Sequence, residues 1–112
     1  MSRPESEVAP KDPTLVFAAL GDRTRLSLLM QLSDGKKRSI AALSAGTRLT
    51  RQAVTKHLQV LEKAGLVSSI RVGRENRFVY QPEPIAEARS YLDMVSAHWD
   101  GALERLRALV EE

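Results

Sequence analysis

Apolar and polar residues alternate along this chain with two different periods. Helical spacing governs the first half and the C-terminal quarter, and a strand-like segment lies between them. Asp12 offers an N-cap oxygen and Pro13 suits a first helical turn, so a short first helix carries Leu15 to Leu20 and stops at Gly21. Asp22 caps a second helix that runs to about Leu32, with Leu26, Leu29 and Met30 expected to face inward. Asp34-Gly35 ends it, and Lys36-Lys37-Arg38 reads as a solvated loop. Ser39 caps a third helix, Ile40 to Ala45, which ends at Gly46. After Thr47-Arg48-Leu49, Thr50 caps a fourth helix, Arg51 to Ala64, closed by Gly65. Two helices joined by a tight connection with a glycine and one apolar plug, Leu49, form a helix-turn-helix pattern.

The period then changes. Leu66 to Val72 and Arg77 to Tyr80 are rich in Val, Ile, Phe and Tyr, and Gly73-Arg74-Glu75-Asn76 between them is a turn-forming cluster. A hairpin with a basic tip directly after the fourth helix has the position of a wing. Pro82 and Pro84 break the chain before a long last helix, Ile85 to about Val110. Its apolar positions, Ile85, Ala88, Leu92, Val95, Trp99, Ala102, Leu106 and Leu109, alternate three and four apart in a heptad stripe. Such a helix is about 40 Å long. A small domain covers only part of it, so the remainder is expected to meet a second copy, with purely intramolecular packing as the alternative. The predicted architecture is mainly α with a small β-hairpin: a winged helix-turn-helix with a long C-terminal dimerisation helix. Residues 1–11 are expected to form a disordered arm ahead of a single domain, 12–112.

Composition narrows the function classes. Hydrophobic residues make up 43% and charged residues 28%, an ordinary soluble balance, and no apolar run approaches the roughly 20 residues that cross a bilayer. The N-terminal stretch is polar and lacks the apolar core of a signal peptide, so the expected location is the cytoplasm. With no cysteine, disulfides and thiolate metal ligation are excluded. The net charge of +3 is unevenly spread. Arg48, Arg51, Lys56, Lys63, Arg71, Arg74 and Arg77 face only Glu62 and Glu75 in their window, a surplus of five, whereas the rest of the chain is net −2. Such a basic centre suits a polyanionic partner, or is a solvated face.

Around the fourth helix, Val54, Leu58 and Leu61 form a core stripe, and Gln52, Thr55, Lys56, Gln59 and Lys63 cluster opposite, with Arg51 at the edge. Gln can pair with adenine, Thr can meet a thymine methyl or a phosphate, and Arg and Lys read guanine or neutralise phosphate. Thr50 and Arg51 sit at the helix N-terminus, where free N–H groups attract anions, and Arg71, Arg74 and Arg77 belong to the hairpin. The expected partner is double-stranded DNA. His57 lies beside the core stripe and reads as structural or phosphate-touching.

The stretch Leu49-Thr50-Arg51-Gln52-Ala53-Val54-Thr55-Lys56-His57-Leu58, followed by Leu61-Glu62-Lys63-Ala64-Gly65-Leu66-Val67, resembles the core signature of the ArsR/SmtB repressors. Ala19-Leu20-Gly21-Asp22-Arg23-Thr24-Arg25 is similar to that family's entry into its second helix, and Gly73-Arg74-Glu75 to its wing. The resemblance implies a homodimeric repressor with first and last helices at the interface, which places Leu15, Phe17, Leu92, Val95, Trp99, Ala102 and Leu106 there. It also implies that Gln52, Thr55 and Lys56 contact DNA from the fourth helix and Arg74 from the wing. Metal-sensing members carry a cysteine pair where this chain has Ala41-Ala42-Leu43-Ser44, or aspartate and histidine pairs in the last helix. Here Asp93 and His98 stand five apart, on different sides of the helix. No metal site and no cofactor is expected, and no general small-molecule effector carries over from the family.

Two other function classes compete with DNA-binding regulation. A winged helix used solely for protein contact calls for an acidic or apolar recognition face, contrary to Gln52, Lys56 and Lys63. An enzyme needs a constellation that this chain lacks: it has no cysteine, two histidines on separate helices and no glycine-rich phosphate loop.

Overall fold

The computed structural model describes residues 13–111, so the arm expected at 1–11 and the Asp12 cap lie outside the described residues. In chain order the elements are α1 (Pro13–Leu20), α2 (Arg23–Leu32), β1 (Arg38–Ser39), α3 (Ile40–Ala45), α4 (Arg51–Lys63), β2 (Val67–Val72), β3 (Glu75–Tyr80) and α5 (Glu83–Glu111).

Three helix starts rest on side-chain caps in extended backbone. Asp22 accepts from the Arg25 N–H at 2.9 Å, Ser39 from the Ala42 N–H at 3.1 Å and Thr50 from the Ala53 N–H at 3.1 Å. The end of α4 is a paired closure: the Gly65 N–H donates to Glu62 O at 2.9 Å and the Leu66 N–H to Leu61 O at 2.9 Å. Gly65 adopts a φ of 78°, which a side chain would strain, and this sends the chain directly into β2.

The sheet has the order β1-β3-β2, antiparallel throughout, with Val67 opposite Tyr80 and Val72 opposite Glu75. The hairpin turn is therefore only Gly73-Arg74, with Gly73 at φ 64°; Glu75 and Asn76, expected in the turn, are paired strand residues. Arg38 is likewise not in a loop: it pairs with Phe78 as β1. A two-residue strand has no periodicity of its own to be recognised by.

The core joins Val16 and Ala19 of α1, Leu28, Leu29 and Leu32 of α2, Leu43 of α3, Val54, Leu58 and Leu61 of α4, and Leu66, Val67, Phe78 and Ala88. Leu49, the connection residue between α3 and α4, packs against it. The inward face of α2 differs from expectation at two positions, since Leu26 and Met30 are exposed and Leu28 and Leu32 are fully buried. Both sets have helical spacing, and packing against the neighbouring helices decides between them. No polar or charged residue is buried among the described residues.

Helix α5 begins two residues earlier than the prolines suggest, because Pro84 sits in its first turn, where no intrahelical N–H bond is lost. It packs on α1, where the Phe17 and Tyr91 rings meet at 6.2 Å and 51°. Beyond Ala88 none of its residues is buried: Leu92 is 52% exposed, Trp99 61% and Leu106 57%. Val95 and Ala102 on the same stripe are half-buried.

Candidate nucleic-acid interface

The Thr50 cap and the Gly65 closure hold α4 as thirteen regular residues, and its inner stripe of Val54, Leu58 and Leu61 seats it on the core. The opposite face is thereby turned outward as a unit. Beside it the short turn at Gly73-Arg74 folds the hairpin back, and an open groove of about 790 Å³ lies between helix and wing. Helix α4 supplies Arg51, Gln52, Thr55, Lys56 and Gln59 to this groove, and the wing supplies Arg74, Glu75 and Asn76. The start of α3, Ser39 to Ala41, closes one side.

Six of the nine residues expected to contact DNA thus line one groove: Arg51, Gln52, Thr55, Lys56, Gln59 and Arg74. Thr50, Arg71 and Arg77 do not line it. The Thr50 oxygen is engaged as the α4 cap, and the Arg71 Nε donates to Gly73 O at 3.1 Å, bracing the wing tip. Arg77 is tied to Glu75, with Nη2 at 3.0 Å and Nε at 3.1 Å from Oε1. Sequence reasoning does not place Glu75 and Asn76 in the groove, because both are poor strand formers beside a glycine and look like turn residues; their pairing with Val72 and Arg71 carries no local signal.

The cations divide by role. Arg38 makes a two-pronged contact with Asp34, Nη1 to Oδ1 at 2.9 Å and Nη2 to Oδ2 at 2.7 Å, and donates to Gln31 O at 2.7 Å. That guanidinium, with the Lys36 N–H, holds the Asp34 carboxyl far below the usual carboxylate range. Arg107 lies between Glu104 and Glu111. In the groove, by contrast, Arg51, Gln52, Lys56, Gln59 and Arg74 have no side-chain hydrogen bond or ion pair among the described residues. Their donors are unspent. Thr55 differs: its hydroxyl donates to Arg51 O one turn back, at 2.8 Å.

His57 faces away from the groove. Its Nδ1 lies 3.4 Å from Arg25 Nη1 and 3.8 Å from Asp22 Oδ2, which fastens α4 to the start of α2. The Asp22 carboxyl is held below its ordinary value by the Arg25 backbone N–H and then by the Arg25 and His57 charges. Of the two readings of His57, this position fits the structural one. Among the described residues no three His, Asp or Glu side chains gather as metal ligands, and Asp93 and His98 are both exposed.

The sequence profile of a helix-turn-helix domain matches residues 20–70. The uncharacterized HTH-type transcriptional regulator YuzN of Bacillus subtilis (strain 168) is 40% identical over 76 residues, covering 62% of this chain and 83% of YuzN. The structure of an ArsR-like transcriptional regulator from Rhodococcus sp. RHA1 superimposes with a TM-score of 0.76 at 35% identity, covering 87% of this chain and 91% of that one. The homodimeric winged helix-turn-helix domain of Mb0332 from Mycobacterium bovis shares the fold, with a TM-score of 0.62 at 24% identity over 87% of this chain and 88% of that one.

Proposed function

The chain belongs to the ArsR family of helix-turn-helix transcriptional regulators, and from that premise we propose that it is a homodimeric repressor of an inverted-repeat operator. The observation that carries this reading is the groove between α4 and the wing, lined by cationic and amide donors that no side chain or backbone group among the described residues engages. Helix α4 enters the major groove, where Gln52 and Thr55 meet base edges and Lys56 and Gln59 meet bases or phosphates. Arg51, Arg74 and, from the flank of the wing, Arg71 and Arg77 neutralise backbone, and the N-terminus of α4 at Thr50 faces phosphate.

The dimer rests on the apolar stripe of α5. Leu92, Trp99 and Leu106 are exposed in the protomer, as is Leu15 of α1, and apolar side chains repeated along one helix face mark a surface for a partner. Phe17 packs at the edge of that surface, against Tyr91. Two-fold pairing through α1 and α5 covers the stripe and sets two α4 helices about one DNA turn, roughly 34 Å, apart. The protein acts in the cytoplasm, where its operator is, and no described helix is long and apolar enough to cross a membrane.

The test is an electrophoretic shift and footprint on the protein's own promoter, with sedimentation to give the mass in solution. A symmetric footprint and a dimer are expected. A protein that binds no duplex at low salt is instead a protein-contact module, the second reading of the fold.

A further inference from the structure

Thr55 stands at the centre of the groove face of α4, between Gln52, Lys56 and Gln59, and it lines the groove itself. It differs from those neighbours in having its donor already committed. A threonine hydroxyl has one proton, and here that proton goes to Arg51 O at 2.8 Å. The oxygen is folded back onto the preceding turn of its own helix. The side chain has a single rotatable bond to its two branches, so fixing the hydroxyl also fixes the methyl. A ligand in the groove therefore meets at this position a side chain whose only donor is spent and whose methyl is fixed along with it, beside Gln52, Lys56 and Gln59, whose donors are unengaged among the described residues. In the major groove the apolar feature that distinguishes base pairs is the C5-methyl of thymine.

We infer that Thr55 reads a thymine methyl through its own methyl group, and that its hydroxyl serves the helix and not the DNA. The inference rests on the DNA-binding reading above and assigns one specificity element within it. Gln52, Lys56 and Gln59 supply hydrogen bonds around that contact, and Thr55 supplies discrimination that a phosphate-bound hydroxyl cannot.

Deoxyuridine, which pairs like thymidine but lacks the methyl, separates the possibilities. An operator is first isolated by selecting bound duplexes from a random pool. Each thymine of one half-site is then replaced by deoxyuridine and the Kd measured with the unaltered protein. One position is expected to weaken by about fourfold, the worth of burying one methyl group. Thr55→Val keeps the methyl without the hydroxyl and should retain that penalty. Thr55→Ser keeps the hydroxyl without the methyl and should bind thymine and deoxyuridine operators equally. Circular dichroism establishes that both variants fold, and the measurement on the unaltered protein needs neither of them. If the operator is bound tightly but no thymine-to-deoxyuridine change matters, the methyl contact is refuted and DNA binding stands. A Thr55→Ser protein that still discriminates, beside a Thr55→Val protein that does not, assigns the reading to the hydroxyl. If selection enriches no sequence and no duplex is bound, the DNA-binding reading itself falls, and this inference with it.

Discussion

Arg25 of α2 and His57 of α4 meet side chain to side chain, with the guanidinium Nη1 3.4 Å from the imidazole Nδ1. The same guanidinium donates through Nε to Ala19 O at 2.8 Å and through Nη2 to Ala18 O at 3.2 Å, two carbonyls at the end of α1, the second of which also accepts the Gly21 N–H at 3.2 Å. One side chain thus ties the end of α1, the start of α2 and the rear of α4 together. Arg25→Met removes these bonds while keeping much of the apolar stem. Unfolding in urea should show a loss of about 1–3 kcal/mol, the cost of leaving the part-buried Ala19 carbonyl without its donor. An unchanged midpoint would mean that water replaces the guanidinium without penalty.

Acid should act through Asp34 and Asp22. Both carboxyls are held below their ordinary value of 3.8, Asp34 by the Arg38 side chain and Asp22 by the Arg25 N–H. A depressed carboxyl contributes stability that is present above the unfolded value and is lost as pH falls towards the folded one. The urea midpoint should therefore decline between about pH 5 and about pH 2. Asp34→Asn should start lower and decline less over that range. Parallel curves for the two proteins would remove the Asp34–Arg38 pair as a source of the pH dependence.

Gln52 and Arg74 line the same groove and should behave differently on DNA. Gln52→Ala should cost roughly 1–3 kcal/mol on the operator and much less on random duplex, because a base contact carries sequence information. Arg74→Ala should weaken both duplexes and flatten the salt slope by about two units per dimer. Affinities of both variants across a salt series decide. Equal weakening by Gln52→Ala, with an operator-only effect of Arg74→Ala, makes the wing the sequence reader.

Glu75 is the one acidic residue in the groove, and it holds Arg77. Glu75→Gln removes a negative charge from the groove and releases that guanidinium. Binding to random duplex should strengthen by up to about fivefold, the upper range for an exposed ion pair, so the operator-to-random ratio falls. Weaker binding to random DNA would mean instead that Glu75 orients Arg77 for its phosphate.

Leu92 is exposed on the protomer, so Leu92→Lys places no charge in the protomer's own core. The variant should keep its circular dichroism spectrum, sediment as a monomer and bind operator at least tenfold more weakly, since a buried interfacial charge costs several kcal/mol. A variant that remains dimeric excludes this part of α5 from the interface.

Much of the architecture was legible because it depends on contacts a few residues apart. The caps at Asp22, Ser39 and Thr50 each bond an N–H three residues on, and Gly65 closes α4 onto its own last turn. The outward set of α4 follows from helical period alone, so Gln52, Thr55, Lys56 and Gln59 could be grouped before any fold was known. The heptad stripe of α5 likewise announced more apolar surface than one small domain covers.

What tertiary structure alone decided involves partners distant in sequence or choices between equally periodic faces. The apolar residues of α2 permit more than one inward face, and packing selected Leu28 and Leu32 over Leu26 and Met30. Arg38 is a strand residue because Phe78 stands beside it, forty residues away. The register that pairs Val72 with Glu75 shortened the turn, aligned Glu75 with Arg77 and put Asn76 in the groove. Period places a side chain on a face, whereas its bonding partner depends on which backbone and side-chain atoms come within about 3 Å. The first is a property of the local chain; the second, as at Arg25 and His57, exists only once separate helices have packed together.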